Sequence, residues 1–127
     1  MQEVNYTTRK IVSALCLFLC SSFLYAGNPI DSLHRLLRAD QEDTNKVNHL
    51  NDLCWKYQSI GSYDTASHYG VIALQLAKQL KFLKGIATAY NNIGVVCNYQ
   101  GNDDKALENY LAALKIREEI FNSTPAG

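Results

Sequence analysis

Proline and glycine are scarce in this sequence, two and seven in 127 residues. So few backbone breakers favour long helices over many short strands. No sign of charge predominates, because twelve Lys and Arg stand against twelve Asp and Glu. A polybasic field for nucleic acid and an acidic tail are thereby excluded. None of the four cysteines, Cys16, Cys20, Cys54 and Cys97, forms a CxxC pair. The last two read as small buried hydrophobes rather than as a redox or zinc motif. Absent too are a GxSxG elbow, a phosphate-cradling loop and a calcium loop. The three histidines, His34, His49 and His68, share no helix face with metal ligands at a useful spacing. Asp64 and His68, four apart, come nearest and read as solvated surface. The expectation is no catalytic residue, no metal and no cofactor. An apolar fraction of 47% is ordinary for a folded chain and argues against disorder.

The front of the chain differs from the rest. Arg9 and Lys10 precede an uncharged run from Ile11 to Ala26, which Gly27-Asn28-Pro29 ends. This is the layout of a secretory signal peptide over residues 1–26. At 16 residues the run is shorter than the roughly 20 that span a bilayer. An uncleaved anchor is the other reading, and membrane association is expected only through this segment. The expected location is the bacterial periplasm or cell envelope.

Behind it the sequence repeats. An offset of 40 residues lays Asn51 on Asn91, Gly61 on Gly101, Asp64 on Asp104, Ala66 on Ala106 and Ala73 on Ala113. Apolar positions correspond as well: Leu50 with Tyr90, Leu53 with Ile93, Leu76 with Ile116. Each unit reads as two helices around a glycine turn. In the first unit Leu50, Leu53 and Tyr57 face Ala66, Tyr69, Ala73 and Leu76. In the second, Ile86, Ala89 or Tyr90, Ile93 and Cys97 share one face. Ala106, Leu107, Tyr110, Ala113, Leu114 and Ile120 form the expected inner stripe of the last helix. Gly101 turns the chain and Asn102 or Asp103 caps the last helix. Small residues at Ala66 and Ala106, opposite Cys54 and Gly94, let antiparallel helices approach closely. The expected organisation is a capping helix and linker over 27–46, units over 47–86 and 87–122, and a tail over 123–127. Ile30, Leu33, Leu36 and Leu37 give the capping helix its apolar stripe.

This pattern resembles the tetratricopeptide repeat, in a variant longer than the family's usual 34-residue unit. Tyr90, Ile93-Gly94, Gly101, Ala106, Tyr110 and Ala113 carry the resemblance, as do Leu50, Leu53-Cys54, Tyr57, Gly61, Ala66 and Ala73. Cys97 and Gly70 depart from it, standing where the family has aromatic residues. The resemblance implies an all-α superhelix of helical hairpins whose first helices line a concave groove. By register that groove would present Asn48, Asn51, Trp55, Gln58 and Ser59, then Thr88, Asn91, Val95, Asn98 and Tyr99. It implies a protein or peptide partner, gripped by amides and two aromatic residues. Asn92 occupies one position of the family's carboxylate clamp, but the clamp's basic residues are missing. A stand-alone exported scaffold is the first expectation. The second is the input region of a membrane-anchored histidine kinase or transcriptional regulator. Repeat units bury their apolar faces on one another, so an uncapped last helix also raises self-association.

Overall fold

The computed structural model describes residue 5, residues 7–14 and residues 27–125. Residues 7–14 are helical and exposed. Most of the run read as a signal segment, residues 15–26, lies outside the described residues. No described helix is long and apolar enough to cross a membrane. The chain divides into two compact units, Met1–Ser32 and Leu33–Gly127. Both hairpins belong to the second.

After residues 7–14, five further helices succeed one another among the described residues: α1 (Pro29–Ala39), α2 (Thr44–Ser59), α3 (Tyr63–Gln79), α4 (Leu83–Tyr99) and α5 (Asp103–Ser123). No strand occurs among the described residues. The expected unit boundaries at 47 and 87 fall inside α2 and α4. Asp43 caps α2 earlier than the repeat register suggests, its side chain accepting from the Asn45 and Lys46 N–H groups. Asn102 does the same for α5 through the Lys105 N–H.

The three turns that join α2 to α3, α3 to α4 and α4 to α5 are alike. Gly61 lies at φ +78°, Lys81 at +53° and Gly101 at +75°. In each, the next residue's N–H reaches back into the preceding helix: Ser62 to Tyr57 O, Phe82 to Ala77 O and Asn102 to Cys97 O, at 2.8–2.9 Å. The N–H of the left-handed residue itself bonds three residues back, to Gln58 O, Lys78 O and Asn98 O. These paired bonds define a Schellman motif, which satisfies carbonyls that a helix end otherwise strands. The motif recurs every 20 residues, half the repeat offset. Glycine at only two of the three sites hides that shorter period from the sequence.

Alanine supplies half of the buried apolar residues, from Ala66 to Ala113. One core cluster joins Val47, Leu50, Ala73, Leu76, Ala77, Ile86 and Ala89, with Leu37, Tyr69, Phe82, Tyr90 and Ile116 packed around it. A second joins Cys54, Ala66 and Val96 beneath Tyr57, Tyr63 and Tyr69. Gly94 shows why small residues are needed. A Cβ there would meet the Tyr110 ring at 2.8 Å and the Ala106 carbonyl at 3.2 Å. Gly70, placed where the family has an aromatic residue, leaves room for Ile93 and Cys54, which a Cβ would meet at 3.0 and 3.1 Å. Tyr69 beside it stacks on Tyr57, centroids 5.5 Å apart.

Two expectations need correction. Leu107 and Leu114 do not join the inner stripe of α5 but are exposed. Each comes one residue after a buried alanine, Ala106 or Ala113, and a step of about 100° turns it off the α4 contact. Nor is the stripe of α1 wholly covered: Leu37 packs on the core, while Leu36 is exposed. The histidines also have partners. His34 Nε2 lies 2.9 Å from the Tyr57 hydroxyl, and His49 Nδ1 lies 2.5 Å from Asp40 Oδ2. His68 sits edge-on to Tyr69. Asp64, one turn before His68, accepts instead from Gln100 Nε2 at 3.1 Å.

Candidate binding face

Exposure along α2 recurs at Asn48, Asp52, Trp55 and Ser59, steps of four, three and four. That spacing defines one helical face. Its complement, Val47, Leu50, Leu53 and Cys54, is buried. On α4 the positions in register are Thr88, Asn91 and Val95, all half-buried. Trp55 is the main feature of this surface. It is 52% exposed, with Lys56 Nζ 4.8 Å from its ring centroid. Tryptophan seldom stands so far into water without a partner, and a cation over its face adds an attraction of about 0.5–1 kcal/mol. Thr88 Oγ1 donates to the Lys84 carbonyl at 2.9 Å and so presents its methyl group and an acceptor lone pair.

Of the expected groove residues, Asn48 and Trp55 are thus exposed, and Thr88, Asn91 and Val95 half-buried. Asn51 is different. It is 4% exposed, and its Nδ2 reaches the Gly85 carbonyl at 3.4 Å. The physical cause is the close approach of α2 and α4. A Cβ at Gly85 would meet the Val47 side chain at 2.7 Å, so Val47 of α2 rests directly on the α4 backbone there, and the asparagine is enclosed beside this contact. Asn92, the clamp-like position, is buried in the same interface. Its Nδ2 donates to Asn51 O at 3.3 Å and lies 3.5 Å from Asn51 Oδ1. Neither amide faces a groove.

Three further positions turn away in part. Gln58 is half-buried, with its Oε1 enclosed and unpaired. Asn98 is exposed, but its Nδ2 is engaged in donating to Asp103 Oδ1 at 3.3 Å, across the last turn. Tyr99, 60% exposed, stacks on Tyr63 of α3 with centroids 5.3 Å apart and rings 9° from parallel. It belongs to the turn end of the hairpins rather than to the Trp55 face. Asp52 is the residue that the repeat register overlooks. Its place three before Trp55 and four after Asn48 is the available signal, and it gives an otherwise amide-lined surface one negative charge.

Cys54 and Cys97 are free thiols. Cys54 is fully buried, and loss of water pushes its thiol from 9.0 up to about 11, with the Gly70 backbone pulling the other way by less. Among the described residues no three His, Cys, Asp or Glu side chains gather where they would hold a metal ion.

A family profile described as Tetratricopeptide repeat matches residues 56–119. The match covers half of the chain, and the chain belongs to the tetratricopeptide repeat family. No curated protein and no solved structure gives a significant match. Tetratricopeptide repeats are interaction modules that bind protein partners and are typically not catalytic, so this chain is a protein-interaction scaffold.

Proposed function

We infer that this scaffold is exported to the cell envelope and holds a segment of a partner protein on the uncovered face of α2 and α4. The observation that carries the reading is Trp55, a large flat side chain left in water on a rigid helix. Asn48, Asp52, Thr88 and Asn91 around it offer both donors and acceptors to a peptide backbone. Val95 adds an apolar floor. Asp52 and the Lys56 that lies over Trp55 bring one charge of each sign, so the face suits a segment of little net charge. Export rests on Arg9, Lys10 and the uncharged Ile11–Ala26 run.

Capture from envelope extract with wild-type protein and with Trp55→Ala tests the face. Truncating a central aromatic anchor costs about 2 kcal/mol or more, so partner affinity should fall at least tenfold. Tyr99→Ala, at the turn end, should change it less than twofold. Equal recovery of every partner by wild type and Trp55→Ala would reject the assignment.

A further inference from the structure

Gln58 borders the Trp55 surface without a hydrogen-bond partner for its side chain. Its Oε1 is enclosed and unpaired, and among the described residues its Nε2 meets no acceptor. It stands three residues after Trp55 and seven after Asn51, two turns along the same edge of α2. The contrast with Asn51 is informative. The Asn51 amide meets the Gly85 carbonyl and the Asn92 amide, so α4 satisfies it. One edge of α2 thus carries an amide that the fold pairs and an amide that it leaves open. An enclosed acceptor without a donor is unfavourable, and native folds keep few of them. Turning the Gln58 amide out to the surface breaks no hydrogen bond, so a donor arriving from outside can draw it there. Asn48, at the other end of the exposed α2 face, has an unbonded side-chain amide as well.

We propose that Gln58 pairs with the main chain of the segment held on the Trp55 face, a step that rests on the reading of that face given above, and that the segment is therefore bound extended. Gln58 Oε1 accepts a backbone N–H of the segment, and Nε2 donates to a backbone carbonyl. A helical segment does not meet this demand, because its interior N–H and C=O groups are already bonded to one another. An extended chain leaves both groups free to be paired from the side. Length agrees with this form. Asn48 and Gln58 are ten residues apart, about 15 Å along α2. About four or five residues of extended chain cover that distance. Trp55 stands between the two amides, where it receives a side chain of the segment while they hold its backbone.

Selection of a random peptide library on the immobilised full chain supplies the probe, and the strongest binder is then synthesised and titrated by fluorescence anisotropy. Trp55→Ala should weaken it about tenfold or more, which reads the face alone. Gln58→Met keeps the side-chain length and removes both amide groups. It should weaken the peptide about fivefold while the urea midpoint stays level or rises, because an unpaired acceptor is lost with it. A Gln58 with only a structural role would instead lower the midpoint. Methylating the peptide's backbone nitrogens one at a time removes single donors. One position should cost wild-type binding about fivefold and cost Gln58→Met nothing further. Loss with Trp55→Ala but not with Gln58→Met would overturn the Gln58 pairing and leave the face standing. Binding indifferent to Trp55→Ala, or no peptide selected at all, would overturn both. A peptide that gains helicity on binding, read by circular dichroism of the complex less that of the free chain, would overturn the extended form.

Discussion

At the scale of single residues, three left-handed turn positions do the same work with different side chains. Gly61 and Gly101 adopt positive φ without a Cβ to strain, while Lys81 holds φ +53° with one. The left-handed region costs an ordinary residue about 1–2 kcal/mol. Gly101→Ala should therefore lower stability by about 1 kcal/mol in urea unfolding monitored by helicity. Nothing lies within 4 Å of a Cβ there, so the loss is conformational and not steric. Lys81→Gly should shift the midpoint in the opposite direction, by less than about 1 kcal/mol, since the unfolded chain also gains freedom. Cys54 makes a second prediction. Its thiol titrates near 11 in the folded chain against 9.0 when unfolded. Folding thus favours the protonated form; the stabilisation is complete below pH 9 and is lost as pH rises toward 11. A fall in unfolding midpoint over that interval, reduced by Cys54→Ala, would verify it; the remainder belongs to Tyr69, whose hydroxyl is also pushed up from 10.0 by burial. The Cys54 thiol should also resist thiol reagents in the native state until the chain is denatured.

At the scale of elements, the hairpins are set by how closely their helices approach. Gly94 rests against the Tyr110 ring and the Ala106 carbonyl. Ala106→Leu should cost about 1–3 kcal/mol by overpacking, and Gly94→Ala a similar amount because a backbone atom cannot step aside. Both are read from the shift in urea midpoint at constant slope. These contacts were legible in the sequence, since a small residue repeated at a fixed offset signals a close approach repeated at that offset. Helix order, both glycine turns and the Asn102 cap were legible for the same reason. The third turn was not, because Lys81 gives no local sign of positive φ. The binding face was legible only in part. A repeat register tells which helix a residue belongs to. It does not tell whether an amide such as Asn51 points out or is enclosed by the neighbouring helix, which depends on Gly85, 34 residues away. Leu107 and Leu114 depart from the expected stripe for a related reason. Apolar character signals burial against something, and here it does not specify α4.

At the scale of the whole second unit, close backbone approaches run between helices that are near in sequence: α2 with α3, α3 with α4, α4 with α5, and α2 with α4. Stability in such an array is close to a sum over neighbours. α3 and α4 each touch helices on two sides and bury five and seven residues; α5 buries only Ala106 and Ala113. Native-state hydrogen exchange should then be slowest in α3 and α4. It should be fastest in the last two turns of α5, where residues 117–119 and 121–123 are exposed. Uniform protection across all four hairpin helices would contradict this neighbour-limited view.

The asparagine pair between α2 and α4 bears on how the two hairpins find one alignment. Alanine and glycine make a smooth interface, and smooth helices can slide along each other with little change in contact. Asn51 and Asn92 remove that freedom. Displacing α4 by one residue would separate Asn92 from the Asn51 carbonyl and Asn51 from the Gly85 carbonyl, stranding dry amides at about 1–3 kcal/mol each. Two weak polar rungs therefore act as a vernier mark, distinguishing the correct setting from its near neighbours where side-chain shape alone could not.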